Sequence, residues 1–204
     1  MVDKMIYFTA DTHFYHEELL GMNDFAPRPF ADVATMNETI VTNWNQRVQS
    51  EDQVYLLGDV ALVPNKPTAF AQVNALLGAL NGQIILVKGN HDNRAFFKYL
   101  KKHDPGTEAH PHYQFVDVGA LIKINHRQYF LTHYPLLLGK VSQTVNLHGH
   151  IHHNMLPIAE NINVGIDAPE RELLKTPLPF GTPLSVAEIE AILTAKQKAL
   201  TQLK

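Results

Sequence analysis

Gly89-Asn90-His91-Asp92 follows the apolar run Ile84-Ile85-Leu86-Val87, so an amide, an imidazole and a carboxylate stand at the end of what reads as a buried strand. The arrangement recurs. Asp11-Thr12-His13 follows Ile6-Tyr7-Phe8, Gly58-Asp59-Val60 follows Val54-Tyr55-Leu56-Leu57, and His148-Gly149-His150-Ile151-His152 follows Thr144-Val145-Asn146-Leu147. His133 closes the short run Tyr129-Phe130-Leu131. Oxygen and imidazole donors collected at five strand ends are enough for two divalent cations, which points to a metal-dependent hydrolase.

Asp11 and His13 alternate with Thr12, and His150 and His152 with Ile151, so in extended backbone both members of each pair project the same way. Gly149 lets the backbone pass close to the site. The spacing selects His150 and His152 over their neighbours His148 and His153. A carboxylate such as Asp59 can bridge two cations, one oxygen to each, whereas an imidazole with one free lone pair cannot. Asn90 would donate a carbonyl oxygen. Taken singly, each residue has an ordinary explanation as a cap, a turn residue or a buried imidazole bonded to backbone. Five clusters rich in the same donor types, each at a strand end, do not share one.

The elements that must hold these donors follow from periodicity. Val33, Met36, Ile40, Trp44 and Val48 recur at helical spacing, as do Phe70, Val73, Leu76, Leu77 and Leu80, giving a β-α-β-α-β first half. The second half reads as consecutive strands around 115–118, 121–124 and 128–131, with Asn125-His126 as a tight turn, then strands at 145–148 and 162–164. A Pro-punctuated stretch leads to a last helix with a Ser185/Glu188 capping box and a buried face of Val186, Ile189, Ile192, Leu193, Leu200 and Leu203. Strands this apolar predict two sheets packed face to face with helices outside, and open α/β sheets bind ligands beyond the carboxyl ends of their strands.

The 204 residues, undivided by any linker, predict one domain over 1–204. A net charge of −3 with no run of like charge argues against long nucleic acid or a membrane surface and favours a small substrate. The absence of cysteine excludes disulfides, thiolate ligands and a cysteine nucleophile, leaving oxygen and imidazole to any metal. The start of the chain shows no charged region followed by an apolar leader, and no apolar run reaches spanning length, so a cytoplasmic address is expected.

The ordered set Asp11-x-His13, Gly58-Asp59, Gly89-Asn90-His91-Asp92, His133 and Gly149-His150-x-His152 resembles the calcineurin-like metallophosphoesterase superfamily. Phe14 with His16, Arg28-Pro29-Phe30, Asn43-Trp44-Asn45 and Asn163-Val164-Gly165 with Asp167 resemble its small single-domain bacterial and phage members. Tyr15 stands where that subgroup often has Gly, and the stretch from Pro169 to Pro183 is longer than usual. The resemblance implies a four-layer α/β sandwich with two mixed sheets flanked by helices. It also implies one metal on Asp11, His13, Asp59 and His152 and a second on Asp59, Asn90, His133 and His150. Imidazole and oxygen donors suit manganese, iron or zinc alike and do not choose among them; manganese is the cation expected first.

The expected reaction is in-line attack on a phosphoester, diesters before monoesters, by a hydroxide held between the two cations. His91 is the candidate acid for the leaving oxygen, and Asp92 is expected to orient its imidazole or favour its charged form. His16, Arg28 and Arg94 are candidate contacts to free phosphate oxygens, and the segments 101–114 and 169–183 are expected rim loops. Alternatives are a nuclease or cyclic-nucleotide phosphodiesterase of the same superfamily, or a scaffold that keeps the fold without catalysis.

Overall fold

The computed structural model describes residues 4–139 and 141–202. The first half alternates β1 (Ile6–Thr9), α1 (Val33–Arg47), β2 (Gln53–Leu57), α2 (Pro67–Gly78) and β3 (Gln83–Val87). Each helix starts where its sequence dictates. The Asp32 side chain accepts from Thr35 N–H at 2.7 Å, and Pro67 opens α2, where its missing N–H removes no bond. A third helix, α3 (Arg94–Lys102), is not among those expected from periodicity, because its nine residues bury only Phe96 and Leu100. Asn93 caps it, accepting from Phe96 N–H at 2.8 Å.

The remaining strands are β4 (Tyr113–Val116), β5 (Gly119–Ile124), β6 (Arg127–Thr132), β7 (Thr144–His148), β8 (Asn161–Asn163) and β9 (Leu184–Ser185), and the chain continues into α4 (Val186–Gln202). Asn125 and His126 have φ of 49° and 65°, the paired left-handed conformation of a two-residue hairpin turn, which sets the β5–β6 register at Ile124 opposite Arg127. The short β9, not anticipated from the sequence, adds antiparallel to β1. The capping box forms: Ser185 N–H and hydroxyl donate to Glu188, and Glu188 N–H returns to the hydroxyl. Leu203 lies outside the described residues.

Two mixed sheets result, one in the order β4-β3-β2-β1-β9 and one in the order β5-β6-β7-β8. With the four helices they make the expected α/β sandwich. Strand alternation divides the core. Tyr7, Val54, Leu56, Ile84 and Leu86 pack with the buried faces of α1, α2 and α3, while Phe8, Leu57 and Val87 join Tyr129, Leu131, Val145 and Leu147 between the sheets. Helix α4 contributes Ile189, Ile192 and Leu193 to that second core. No helix among the described residues is long and apolar enough to cross a membrane.

Strands β1, β2, β3 and β4 are mutually parallel, as are β6, β7 and β8, so carboxyl ends from both sheets meet at one rim. This places the two expected rim loops differently. Residues 103–112 precede β4, and His112 C=O accepts from Ile84 N–H at 2.8 Å near the start of β3, so the loop sits at the amino ends of the strands, away from the donor clusters. The 169–183 segment is scaffold: Glu170 is fully buried, Arg171 donates to Gly165 C=O at 2.8 Å and Thr182 C=O at 2.9 Å, and Phe180 C=O accepts from Asn43.

Candidate metal centre

All seven expected ligands converge at the shared rim. One donor atom each from Asp11, His13 and His152 lies within 4.8 Å of the others, and the same holds for Asp59, His133 and His150. Asn90 completes the second group, its Oδ1 lying 2.8 Å from His133 Nε2 and 2.9 Å from His150 Nδ1. Asp59 stands between the groups, with Oδ2 3.5 Å from His13 Nε2 and 3.4 Å from His133 Nε2.

The backbone that achieves this is not extended. β1 ends at Thr9, and Asp11, His13, Asp59, His150 and His152 have φ of 56°, 45°, 52°, 72° and 48°. The alternation expected to align each pair is therefore replaced by left-handed turns. Each such residue costs about 1–2 kcal/mol relative to ordinary backbone, so five in one place require strong compensation. Cross-links between the turns supply part of it: Asp11 N–H donates to Gly58 C=O and His13 N–H to Asp59 C=O, both at 3.0 Å, while His150 N–H donates to the Asp11 carboxylate. Tyr15 shares the conformation at φ 63°, a backbone position where glycine would carry no Cβ penalty.

Glycines are required where the turns touch. A Cβ on Gly149 would lie 2.6 Å from Asp11 Oδ2, and one on Gly89 would collide with the carboxylate and backbone nitrogen of Asp59. Asp92 explains the rest of that corner. Its carboxylate accepts from Gly89 N–H at 2.8 Å, Asp59 N–H at 2.9 Å and Val60 N–H at 3.0 Å. Both oxygens are thus engaged by backbone, and Asp92 holds the Asp59 turn instead of contacting the His91 ring. His91 is fixed through its own N–H, which donates to Asp59 Oδ1 at 2.9 Å, leaving an exposed imidazole whose centroid is 5.3 Å from that of His13.

Hydrogen bonds on the far side of three of the imidazoles, His13, His133 and His152, set which nitrogen faces the site. His133 Nδ1 lies 2.9 Å from Leu57 C=O and His152 Nδ1 lies 3.0 Å from Asp167 Oδ2, so in both rings Nε2 is the nitrogen that faces the site. His13 Nδ1 pairs with His16 Nδ1 at 3.0 Å, and His13 Nε2 is buried with no hydrogen-bond partner. That orphaned atom, facing Asp59, is where a cation fits.

Asp167 and Arg28 received no role as ligand partners from spacing alone, since they lie 139 positions apart. Arg28 is fully buried and donates to Asp167 Oδ2 at 2.8 and 3.0 Å, to Asp11 C=O at 2.6 Å and to Thr12 C=O at 3.1 Å. It is a framework residue and makes no surface for phosphate. His16 is likewise committed to His13, while Arg94 is exposed at the start of α3.

The electrostatics match the chemistry of a cation site. Burial pushes the Asp11 carboxyl up to about 7, with His152 opposing and the nearby Asp167 and Asp59 charges adding to the rise. Burial drives the His13 imidazole well below its ordinary value, helped by Arg28 and the surrounding histidines. Asp59 is held low in spite of burial by the hydrogen bond and charge of His133. A buried carboxyl so reluctant to ionise beside a neutral imidazole with an inward lone pair is what a divalent cation corrects.

The calcineurin-like phosphoesterase family matches residues 4–177, and the chain belongs to it. An uncharacterized protein of Methanocaldococcus jannaschii is 32% identical over 176 residues, covering 80% of this chain and 82% of that protein. The glycerophosphodiester phosphodiesterase GpdQ of Enterobacter lignolyticus is 30% identical over 105 residues, 50% of this chain and 34% of its own. Among solved structures, a protein of unknown function from Aquifex aeolicus superposes with a TM-score of 0.63 at 25% identity, covering 92% of this chain and 98% of that one.

Proposed function

We propose that the protein is a phosphoesterase working with two divalent cations, manganese first and iron or zinc also suited, on small phosphoesters and on diesters in preference to monoesters. The observation that carries this reading is Asp59 Oδ2, within 3.5 Å of a ligand nitrogen from each cluster. Asp11, His13, Asp59 and His152 would hold one cation, and Asp59, Asn90, His133 and His150 the other. Cations bound there would supply a nucleophile near neutral pH and a clamp on the phosphate oxygens.

The chain's own residues do the rest. Arg28 and Asp167 hold His152 and the Asp11 turn in register, and Asp92 holds the turn of the bridging carboxylate. His91, exposed beside the site and anchored through its N–H, delivers the proton to the leaving oxygen. The diester preference rests on Arg28, whose donors are all directed into the framework and so away from a dianionic monoester. The name of the GpdQ relative, a diesterase, agrees. A cytoplasmic setting without a membrane partner belongs to the same reading.

The test is metal analysis of the purified protein together with a panel of aryl and alkyl phosphomonoesters, phosphodiesters and cyclic nucleotides. Chelation should abolish turnover and manganese should restore it. A metal-independent activity, or a panel in which only monoesters react, would refute the respective halves of the proposal.

A further inference from the structure

Helix α3 carries Arg94, Phe97, Lys98 and Lys101 at positions i, i+3, i+4 and i+7, so one face presents three cations and an aromatic ring. The sequence shows no run of like charge here, because the helical period collects the residues. Opposite them stands the end of β4, joined to β3 where Lys88 N–H donates to Val116 C=O at 3.0 Å. Between the two lies a cavity of about 240 Å³ to which Lys88 adds a fourth cation and Phe115 a second ring. The rings of Phe97 and Phe115 are 5.4 Å apart and inclined at 60°. Asp117 is the one carboxylate in the lining, and none of the four cations has a carboxylate oxygen within 4.0 Å among the described residues.

Two residues of the lining adjoin, in sequence, the turn that serves the candidate metal centre. Lys88 and Arg94 bracket Gly89-Asn90-His91-Asp92, the turn that carries Asn90 and the exposed His91. From Arg94 to Lys101 the helix rises about 10 Å. That length matches about three stacked nucleotides at about 3.4 Å each. Unpaired cations beside partly exposed rings are the combination that holds single-stranded nucleic acid, the cations taking phosphates and the rings taking base faces. In a protein of net charge −3, four cations gathered in one groove make a local positive field that attracts an anionic chain.

We propose that the groove between α3 and β4 binds a short single strand of nucleic acid and leads one of its phosphodiesters to the metal centre. This rests on the phosphoesterase reading and narrows its substrate to an oligonucleotide of a few residues, not a long duplex.

The test separates the two. A fluorescent phosphorothioate oligothymidylate, slow to hydrolyse, is titrated against the metal-loaded full chain at several salt concentrations, while turnover of bis(4-nitrophenyl) phosphate is followed in the same preparation. Lys98→Gln/Lys101→Gln should weaken the oligonucleotide about tenfold and flatten the plot of log affinity against log salt by about 1.4, two contacts at about 0.7 each. Phe97→Leu should weaken oligothymidylate more than an abasic chain of equal length. Hydrolysis of the aryl diester with unaltered oligonucleotide affinity and salt slope in the double variant overturns the groove and leaves the hydrolase standing. Equal losses on the abasic and thymidine chains overturn base stacking on Phe97. Absence of diester turnover with intact, lysine-dependent oligonucleotide binding overturns the enzyme reading and keeps the groove as a binding site.

Discussion

Asp167→Asn isolates the framework from the ligands. The substitution keeps size and one acceptor oxygen but removes the charge that faces Arg28 and His152. In the native protein a single oxygen, Oδ2, accepts from Arg28 Nε at 3.0 Å, Arg28 Nη2 at 2.8 Å and His152 Nδ1 at 3.0 Å. Both side chains of the ion pair are wholly buried, so no water replaces the lost charge. Breaking a buried pair on one side costs about 3–5 kcal/mol, because the remaining guanidinium has no counter-charge. At about 2–4 °C per kcal/mol for a chain of this size, the melting temperature should fall by about 6–20 °C. Metal affinity should change as well. An outer carboxylate that orients a ligating histidine contributes about 10–100-fold, and the loss should fall on the cluster of Asp11, His13 and His152. Unfolding of chelated protein reads the first effect and calorimetric titration with manganese reads the second. Combining Asp167→Asn with Arg28→Met should recover part of the stability, since both charges are then gone. A single variant that melts within 2 °C of the parent, or that binds both cations as tightly as the parent, would refute the reasoning.

Asp59→Ala should lose more metal than His13→Ala, because only the former removes an oxygen placed against both clusters; elemental analysis showing both cations retained at normal affinity would reject the bridge. His91→Ala should keep its metal and lose about 10²–10⁴-fold in turnover of an alkyl diester but much less on an activated aryl diester, whose leaving group departs without a proton. Equal losses on the two substrates would reject the acid role. Glu188→Gln tests the acid limb of stability. Although burial raises the Glu188 carboxyl, the paired bonds from Arg47 at 2.6 and 2.8 Å and the Ser185 cap hold it below its ordinary value. A depressed carboxyl stabilises the fold above its unfolded value and loses that contribution as pH falls through the folded one. The variant should therefore be about 1–2 kcal/mol less stable at neutral pH and converge on the parent well below about pH 4.3, as followed by denaturant unfolding.

The donors were legible in the sequence because a strand end is a local feature. An apolar run followed by Asp, Asn or His announces itself within a few residues, and Asp11, His13, Asp59, Asn90, His133, His150 and His152 all come to the shared rim. The two-sheet sandwich was legible for the same reason, since strand and helix periodicity operate over short windows. Tertiary structure decided what depends on residues far apart or on backbone the pattern does not encode. The left-handed turns replace the expected alternation at Asp11, His13, His150 and His152, because their cross-links come from other strands. Asp92 turns to the backbone of Asp59 and not to its neighbour His91, because three N–H groups converge on it only once β2 and β3 are paired. Arg28, expected as a contact to free phosphate oxygens, is instead buried and paired with Asp167 across 139 positions. The cationic face of α3 needed both a helix too short to show its period and the edge of β4 beside it. Local chemistry is written in order along the chain; charge compensation and burial are settled only by what the fold brings opposite.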